Sequence, residues 1–398
     1  MRLLTIIYFV CCAHSVFAAG LLTIGEKHHL FSEVLNEDRE YWVYLPDNYA
    51  DSSLGKAHYP VVYLLDGDFY FYAHVAMQKN LAKGLYQYMP ETIIVGIMNT
   101  DRSRDLTPTQ SQLVHQGKVI YQSSGGAAAF HRFLTGELRN RIDSSYRTNG
   151  YNILVGHSFG GLFAIYSLLN FPGTFQSIVS HDPSLWWDNQ LLLKQADERW
   201  EGLPLEGVNL YVSLAHEKAS EGDRFRHAQS IQEFCLKHLG ETAGNGLRAK
   251  WEYFANEDHG TICFPASFQA MKFLFEGICL PVKQVPYQPQ LVADTFESLS
   301  QKLGFRFIPG EKQLDDLAAY CLSVEQNKSA EILLQANVRN HPGSARALLK
   351  LGDYFMLMNE ERQAREYWQK ALDIGTLPAE EANRKLRIIT NPTDTQTP

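Results

Sequence analysis

The stretch YNILVGHSFGG (Tyr151–Gly161) decides the reading of this chain. Tyr151–Val155 is an apolar, β-prone run. Gly156-His157-Ser158-Phe159-Gly160 makes a tight turn, and Gly161–Asn170 (GLFAIYSLLN) carries a helical pattern. A G-x-S-x-G sequence between a strand and a helix is a device for presenting a nucleophile. The two glycines remove side chains that would collide in the turn. Ser158 then stands at its tip with the hydroxyl exposed, and the Phe159 amide, at the start of the helix, points toward a developing oxyanion.

Working outward, the same alternation of elements recurs. A strand pair covers residues 28–46, turning at Asn36–Glu40. Further strands read at YPVVYLLDG (59–67), TIIVGIMN (92–99), SIVS (177–180), NLYVSLA (209–215) and AKWEYFA (249–255). Helical patterns cover Ala127–Arg141, about Arg224–Leu239 and about Ala266–Glu276. Continuous apolar strands separated by helices predict an α/β fold, a mostly parallel sheet with both faces covered. Ligand chemistry in such sheets lies at the carboxyl ends of the strands.

The remainder of the 398 residues is organised differently. Residues 1–18 (MRLLTIIYFVCCAHSVFA) pair Arg2 with a short apolar run and end in small residues, which reads as a signal peptide and predicts a periplasmic or extracellular protein. Residues 19–282 form the α/β domain and 283–310, after a proline-rich start, a linker and connecting helix. Residues 311–390 are helical and 391–398 read as a disordered tail. Within the helical region a 34-residue period maps Leu314, Leu317, Ala318, Ala330 and Leu334 onto Leu348, Leu351, Gly352, Ala364 and Trp368. This pattern resembles the tetratricopeptide repeat. Two units are few for a free-standing array, so the helices are expected either to pack on the preceding domain or to dock a protein partner. The net charge of -8, with no basic run, excludes a large nucleic-acid footprint. No segment beyond the leader is apolar enough to span a membrane. Cys235, Cys263, Cys279 and Cys321 remain after the leader, with pairing open and no zinc-binding spacing.

A serine nucleophile needs a base and an acid. His259, directly after the last strand, is the candidate base. His227 and His238 lie in a helical pattern and read as solvated face residues. The acid is expected after NLYVSLA: Glu217 first, Asp223 as the alternative, and Asp182 after SIVS as a third choice. Backbone amides of Phe159, Gly67 and Asp68 are the candidate oxyanion donors. No metal or organic cofactor is implied.

Several blocks together resemble one family: YPVVYLLDGD, RSRDLTP (102–108), GGAAAFHRFLTGEL, GHSFGGLFAIYSLLNFP, DPSLWWDN (182–189) and EDHGTICFPAS. They are similar to the α/β-hydrolase branch that holds esterase D-like carboxylesterases and the ferric-enterobactin and bacillibactin esterases. The resemblance covers about 25–282. It implies a serine ester hydrolase with Ser158, His259 and Glu217, acting on a small ester such as a catechol trilactone. It also implies that Arg104, Trp186 and Trp187 lie at the substrate pocket, and it departs from the family's SPSLWW block by placing Asp182 first. From the residues alone, Arg104 could equally be an ion-pair partner and the tryptophans core. An acyltransferase on the same fold, or a binding protein working through its helical tail, are the alternative functions.

Overall fold

The computed structural model describes residues 23–216, 226–240, 245–375 and 378–390. The leader 1–18, the tail 391–398, Glu217 and Asp223 therefore lie outside the described residues.

The elements run β1 (Glu26–Ser32), β2 (Glu37–Tyr44), β3 (Tyr59–Leu64), α1 (Gly67–Leu81), β4 (Ile93–Ile97) and α2 (Arg102–Leu106). A small hairpin, β5 (Val114–His115) and β6 (Lys118–Val119), leads to α3 (Ala127–Arg132). A π-helical segment, Phe133–Leu138, joins α3 to α4 (Arg139–Ser145). Next come β7 (Thr148–His157), α5 (Phe159–Asn170), β8 (Ser177–His181), α6 (Trp187–Arg199), β9 (Asn209–Ala215), α7 (His227–His238), β10 (Arg248–Phe254) and α8 (Cys263–Leu274). The C-terminal helices are α9 (Gln290–Leu303), α10 (Glu311–Ser323), α11 (Asn327–Asn340), α12 (Ala345–Leu357), α13 (Glu361–Ile374) and α14 (Pro378–Thr390).

Eight strands form one sheet in the order β1-β2-β4-β3-β7-β8-β9-β10. The β1–β2 and β2–β4 pairs are antiparallel, and every pair from β4 to β10 is parallel. The strands β3, β4, β8 and β9 are buried at every residue, so they read as largely apolar runs, with the buried polar side chains Ser177, Ser180, His181, Asn209 and Ser213 as the exceptions. Alternate residues face two cores. Val61, Tyr63, Ile93 and Val95 pack with α3, α5 and α7, whereas Val62, Leu64, Ile94 and Val155 pack with α1 and α8.

This second core continues without a break into the helical region. Phe305 and Phe307 close over Tyr151 of β7, with ring centroids 5.2 and 5.1 Å away. Buried Glu311 of α10 accepts hydrogen bonds from the Gly55 amide and the Ser344 hydroxyl, both at 2.6 Å. Arg346 of α12 reaches Asp315 at 2.8 Å and Ser53 at 3.1 Å. The helices pack in successive pairs, α10 with α11 and α12 with α13. A side chain at Gly352 would collide with Trp368, so the glycine sets how closely α12 and α13 approach. The tail is thus packed intramolecularly.

Three helices go beyond the sequence reading, the five-residue α2 and the longer α1 and α6. In α1, buried His74 and Gln78 interrupt the apolar period, and α6 opens with Asp188, Asn189 and Gln190 at positive φ, a poor helix start. All four described cysteines are free thiols.

Candidate active site

Ser158 caps α5 with φ 60° and ψ −115°, a conformation that costs energy for a residue with a side chain and persists only where its surroundings impose it. The imposition is visible. The Ser158 amide donates to His181 O at 3.0 Å, and the Ser184 amide donates back to Ser158 O at 3.1 Å. A Cβ at Gly156 would collide with the Gly160 carbonyl, and one at Gly161 would stand 3.0 Å from His181 O. The loops after β7 and β8 are therefore locked together. Ser158 Oγ lies 3.3 Å from Ser184 Oγ. Phe159 begins the twelve-residue α5, so its amide lies at the positive end of that helix.

Gly67 and Asp68 open α1 at the carboxyl end of β3, the strand beside β7. Their turn is anchored by Asp66, a buried carboxylate in the left-handed conformation (φ 53°). Arg102 donates to both Asp66 oxygens, at 2.6 and 3.0 Å, and Asn99 donates to Oδ1 at 2.8 Å. The same Arg102 reaches His157 O at 3.1 Å. One guanidinium thus ties the Gly67–Asp68 amides to the serine turn.

His259 lies in the turn between β10 and α8, which is shaped by Asp258 accepting from the Gly260 and Thr261 amides at 3.0 and 3.1 Å. Its Nδ1 lies 2.5 Å from Asp182 Oδ2. Asp182 directly follows β8 at φ 41°, and its Oδ1 accepts the Ala215 amide at 2.9 Å. Burial would raise the Asp182 pKa, but hydrogen bonds from His227 and His259 outweigh it and hold the carboxyl well below its usual range. A charged carboxylate beside Nδ1 favours the tautomer that leaves Nε2 free as a base. The His157 ring stands 4.5 Å from that of His259. Burial, and then the nearby His259, push the His157 pKa down to about 4, so it stays neutral.

Of the residues expected from sequence, the structure places Ser158, Phe159, Gly67 and Asp68 at the carboxyl ends of the neighbouring strands β7 and β3, and His259 after the carboxyl end of β10 in the same sheet. Asp182, the third choice of acid, is the carboxylate on His259. Arg104 sits in a network with Arg39. Its Nε is 2.8 Å from Asp105, and its two terminal nitrogens meet Glu37 at 2.9 and 2.5 Å, so the ion-pair alternative describes its contacts. Trp187 is 1% exposed and donates to Thr109 Oγ1 at 3.0 Å, buried in the core while also bordering the cleft that Trp186 lines. Trp186 is half-buried, 6.1 Å from the Phe159 ring. With Leu113, Val114 and Lys194 it lines a cleft of about 580 Å³, whose described lining does not include Ser158 or His259.

His227 and His238 do not form a solvated face. They share one helix stripe with Ile231 and Phe234, at spacings of four, three and four, and that stripe faces inward. His238 is 3.0 Å from Asp197, and His227 Nε2 is 3.0 Å from Asp182 Oδ2. The apolar partners on this stripe are the signal in the sequence that could have found His227.

The family model described as "Putative esterase" matches residues 32–211. The crystal structure of an IroE-like serine hydrolase from Shewanella oneidensis is 31% identical, with a TM-score of 0.71, and the match covers 79% of this chain and 99% of that one. The ferri-bacillibactin esterase BesA of Bacillus subtilis is 27% identical over 251 residues, 60% of this chain and 86% of that protein. An uncharacterised protein from Capnocytophaga ochracea shares the fold over 92% of this chain and 99% of its own, at 16% identity and a TM-score of 0.55.

Proposed function

The chain belongs to the α/β-hydrolase-superfamily esterases related to the siderophore esterases, and from that premise we propose that it cleaves carboxylic esters through a serine acyl-enzyme. His259 Nε2 takes the Ser158 proton as Oγ attacks the ester carbonyl. Asp182 fixes the ring through Nδ1 and stabilises the imidazolium that forms. The amides of Phe159 and of Gly67–Asp68 hold the oxyanion. The alcohol leaves with the proton from His259. Water, deprotonated by the same imidazole, then releases the acid. Asp182 takes the place in this scheme that sequence assigned to Glu217 or Asp223.

The observation that carries the reading is Ser158 held at positive φ at a helix N-terminus, with the ring of the preceding His157 4.5 Å from His259, whose Nδ1 pairs with Asp182. In this proposal the substrate is a catechol trilactone siderophore or a smaller acyl ester. The ferri-bacillibactin esterase of Bacillus subtilis supports that class, and the aromatic wall of Trp186 suits a flat ring. The leader sends the enzyme to the periplasm or the exterior, and tetratricopeptide-like helical hairpins serve as its packing extension. A panel of p-nitrophenyl esters and ferric catechol trilactones tests this. Ser158→Ala is expected to abolish turnover while leaving the fold intact, and turnover at the wild-type rate in that variant would exclude the mechanism.

A further inference from the structure

A serine, histidine and acid arrangement needs one imidazole on its carboxylate, and this site has two. Asp182 Oδ2 lies 2.5 Å from His259 Nδ1 and 3.0 Å from His227 Nε2. The three residues come from separate places, the end of β8, the start of α7 and the β10–α8 turn. One ligand atom from each lies within 4.8 Å of the others. We propose that Asp182, His227 and His259 form an inhibitory binding site for a divalent cation of the zinc class.

The chemistry of the donor set selects the ion. Two imidazole nitrogens and one carboxylate oxygen suit zinc and its borderline neighbours, whereas magnesium and calcium prefer all-oxygen shells. Four-coordinate zinc, bonded at about 2.0–2.1 Å, spaces its ligand atoms about 3.3 Å apart. The two nitrogen–oxygen separations seen here need to open by less than about 1 Å to reach that spacing. The carboxylate is already steadied by the Ala215 amide on its other oxygen, the outer support that metal-binding carboxylates generally have. Half-exposed His259 leaves a route for the ion, while Asp182 is 2% and His227 15% exposed.

Binding and catalysis exclude each other. A cation on His259 Nδ1 takes the lone pair of that nitrogen, so the proton there moves through solvent to Nε2. His227 likewise carries its proton on Nδ1 once Nε2 is bound. No proton is lost overall, but Nε2 of His259 becomes a donor and no longer accepts from Ser158. The inhibitory half of the proposal rests on the esterase reading; the binding half does not.

Untagged full-length protein is titrated with zinc by calorimetry, with magnesium as the control ion. One equivalent of zinc is expected to bind, and magnesium not to compete. His227→Gln and His259→Gln, each checked for native circular dichroism, are expected to weaken binding by more than about tenfold. Ser158→Ala is expected to retain it. His259 lies in a half-exposed turn, so its variant serves if His227→Gln fails to fold. In the esterase assay zinc should inhibit, EDTA should restore activity, and the residual activity of His227→Gln should need at least about tenfold more zinc for the same inhibition. Absence of stoichiometric binding, or equal binding by wild type and the His227→Gln, His259→Gln double variant, would overturn the site. Zinc binding by a protein that cleaves no ester would leave the site standing and remove the esterase.

Discussion

Replacing Asp182 by asparagine separates the acid seen in the structure from the one that chain order suggests. The substitution keeps the shape and removes the charge. During attack His259 becomes an imidazolium directly against this carboxylate, which is buried and 2.5 Å from Nδ1. With charge centres about 4 Å apart and an effective dielectric constant of about 20, the lost attraction is about 4 kcal/mol. At 1.36 kcal/mol per decade that is about a thousandfold in kcat. Half-exposure of His259 screens part of it, while an asparagine NH2 facing Nδ1 favours the unproductive tautomer and adds to it. The assay is the steady-state rate on a p-nitrophenyl ester, with Glu217→Gln measured in parallel. The expected pattern is a loss of about a thousandfold in kcat for Asp182→Asn, a near-unchanged KM, and a minor effect of Glu217→Gln. An Asp182→Asn enzyme within about threefold of wild type, with Glu217→Gln crippled, would refute the assignment.

Acid should destabilise the fold through its buried imidazoles. His74, His131 and His157 are all pushed down to about 4 by burial, so between the unfolded value near 6.5 and about 4 the unfolded chain binds more protons. Their contribution is present above pH 6.5 and is lost on acidification, by about 2 kcal/mol each at pH 5. A urea midpoint that did not fall between pH 7 and pH 5 would contradict this. Phe307→Ala removes a ring packed against Tyr151, Phe305 and Phe275 and is expected to cost about 3 kcal/mol, read from chemical denaturation. Truncation at Gln290 strips the same seam and should yield aggregating protein, whereas a soluble truncated chain with full turnover would show the tail to be dispensable.

Much of the sheet was legible because strands buried on both faces are mostly apolar, as in Tyr59–Leu64 and Leu210–Val212. The serine turn was legible because steric demands confine it to glycines at fixed offsets. The acid on His259 was not, because its place depends on strand order. Putting β8 directly beside β7 brings Asp182 to the serine turn, and a linear chain does not display adjacency. His227 was hidden for a related reason. A histidine on a helix reads as polar surface until the stripe it shares with Ile231 and Phe234 is seen to face the core. Arg104 kept both readings in sequence, since its paired carboxylate Glu37 comes from a strand 67 residues away.

The shared core of sheet and tail also has a consequence in time. Every residue of the proposed site has been synthesised once His259 is made, yet the apolar face beneath β7 stays open until Phe305, Phe307 and the helices after them arrive. The α/β portion therefore cannot finish as an independent unit during synthesis, as domains generally do. Tyr151 and Phe275 stay uncovered until Phe305 and Phe307 are made, 46 and 48 residues after His259. During that interval the chain is open to holding chaperones and prone to self-association, and catalytic competence becomes the last event in its maturation.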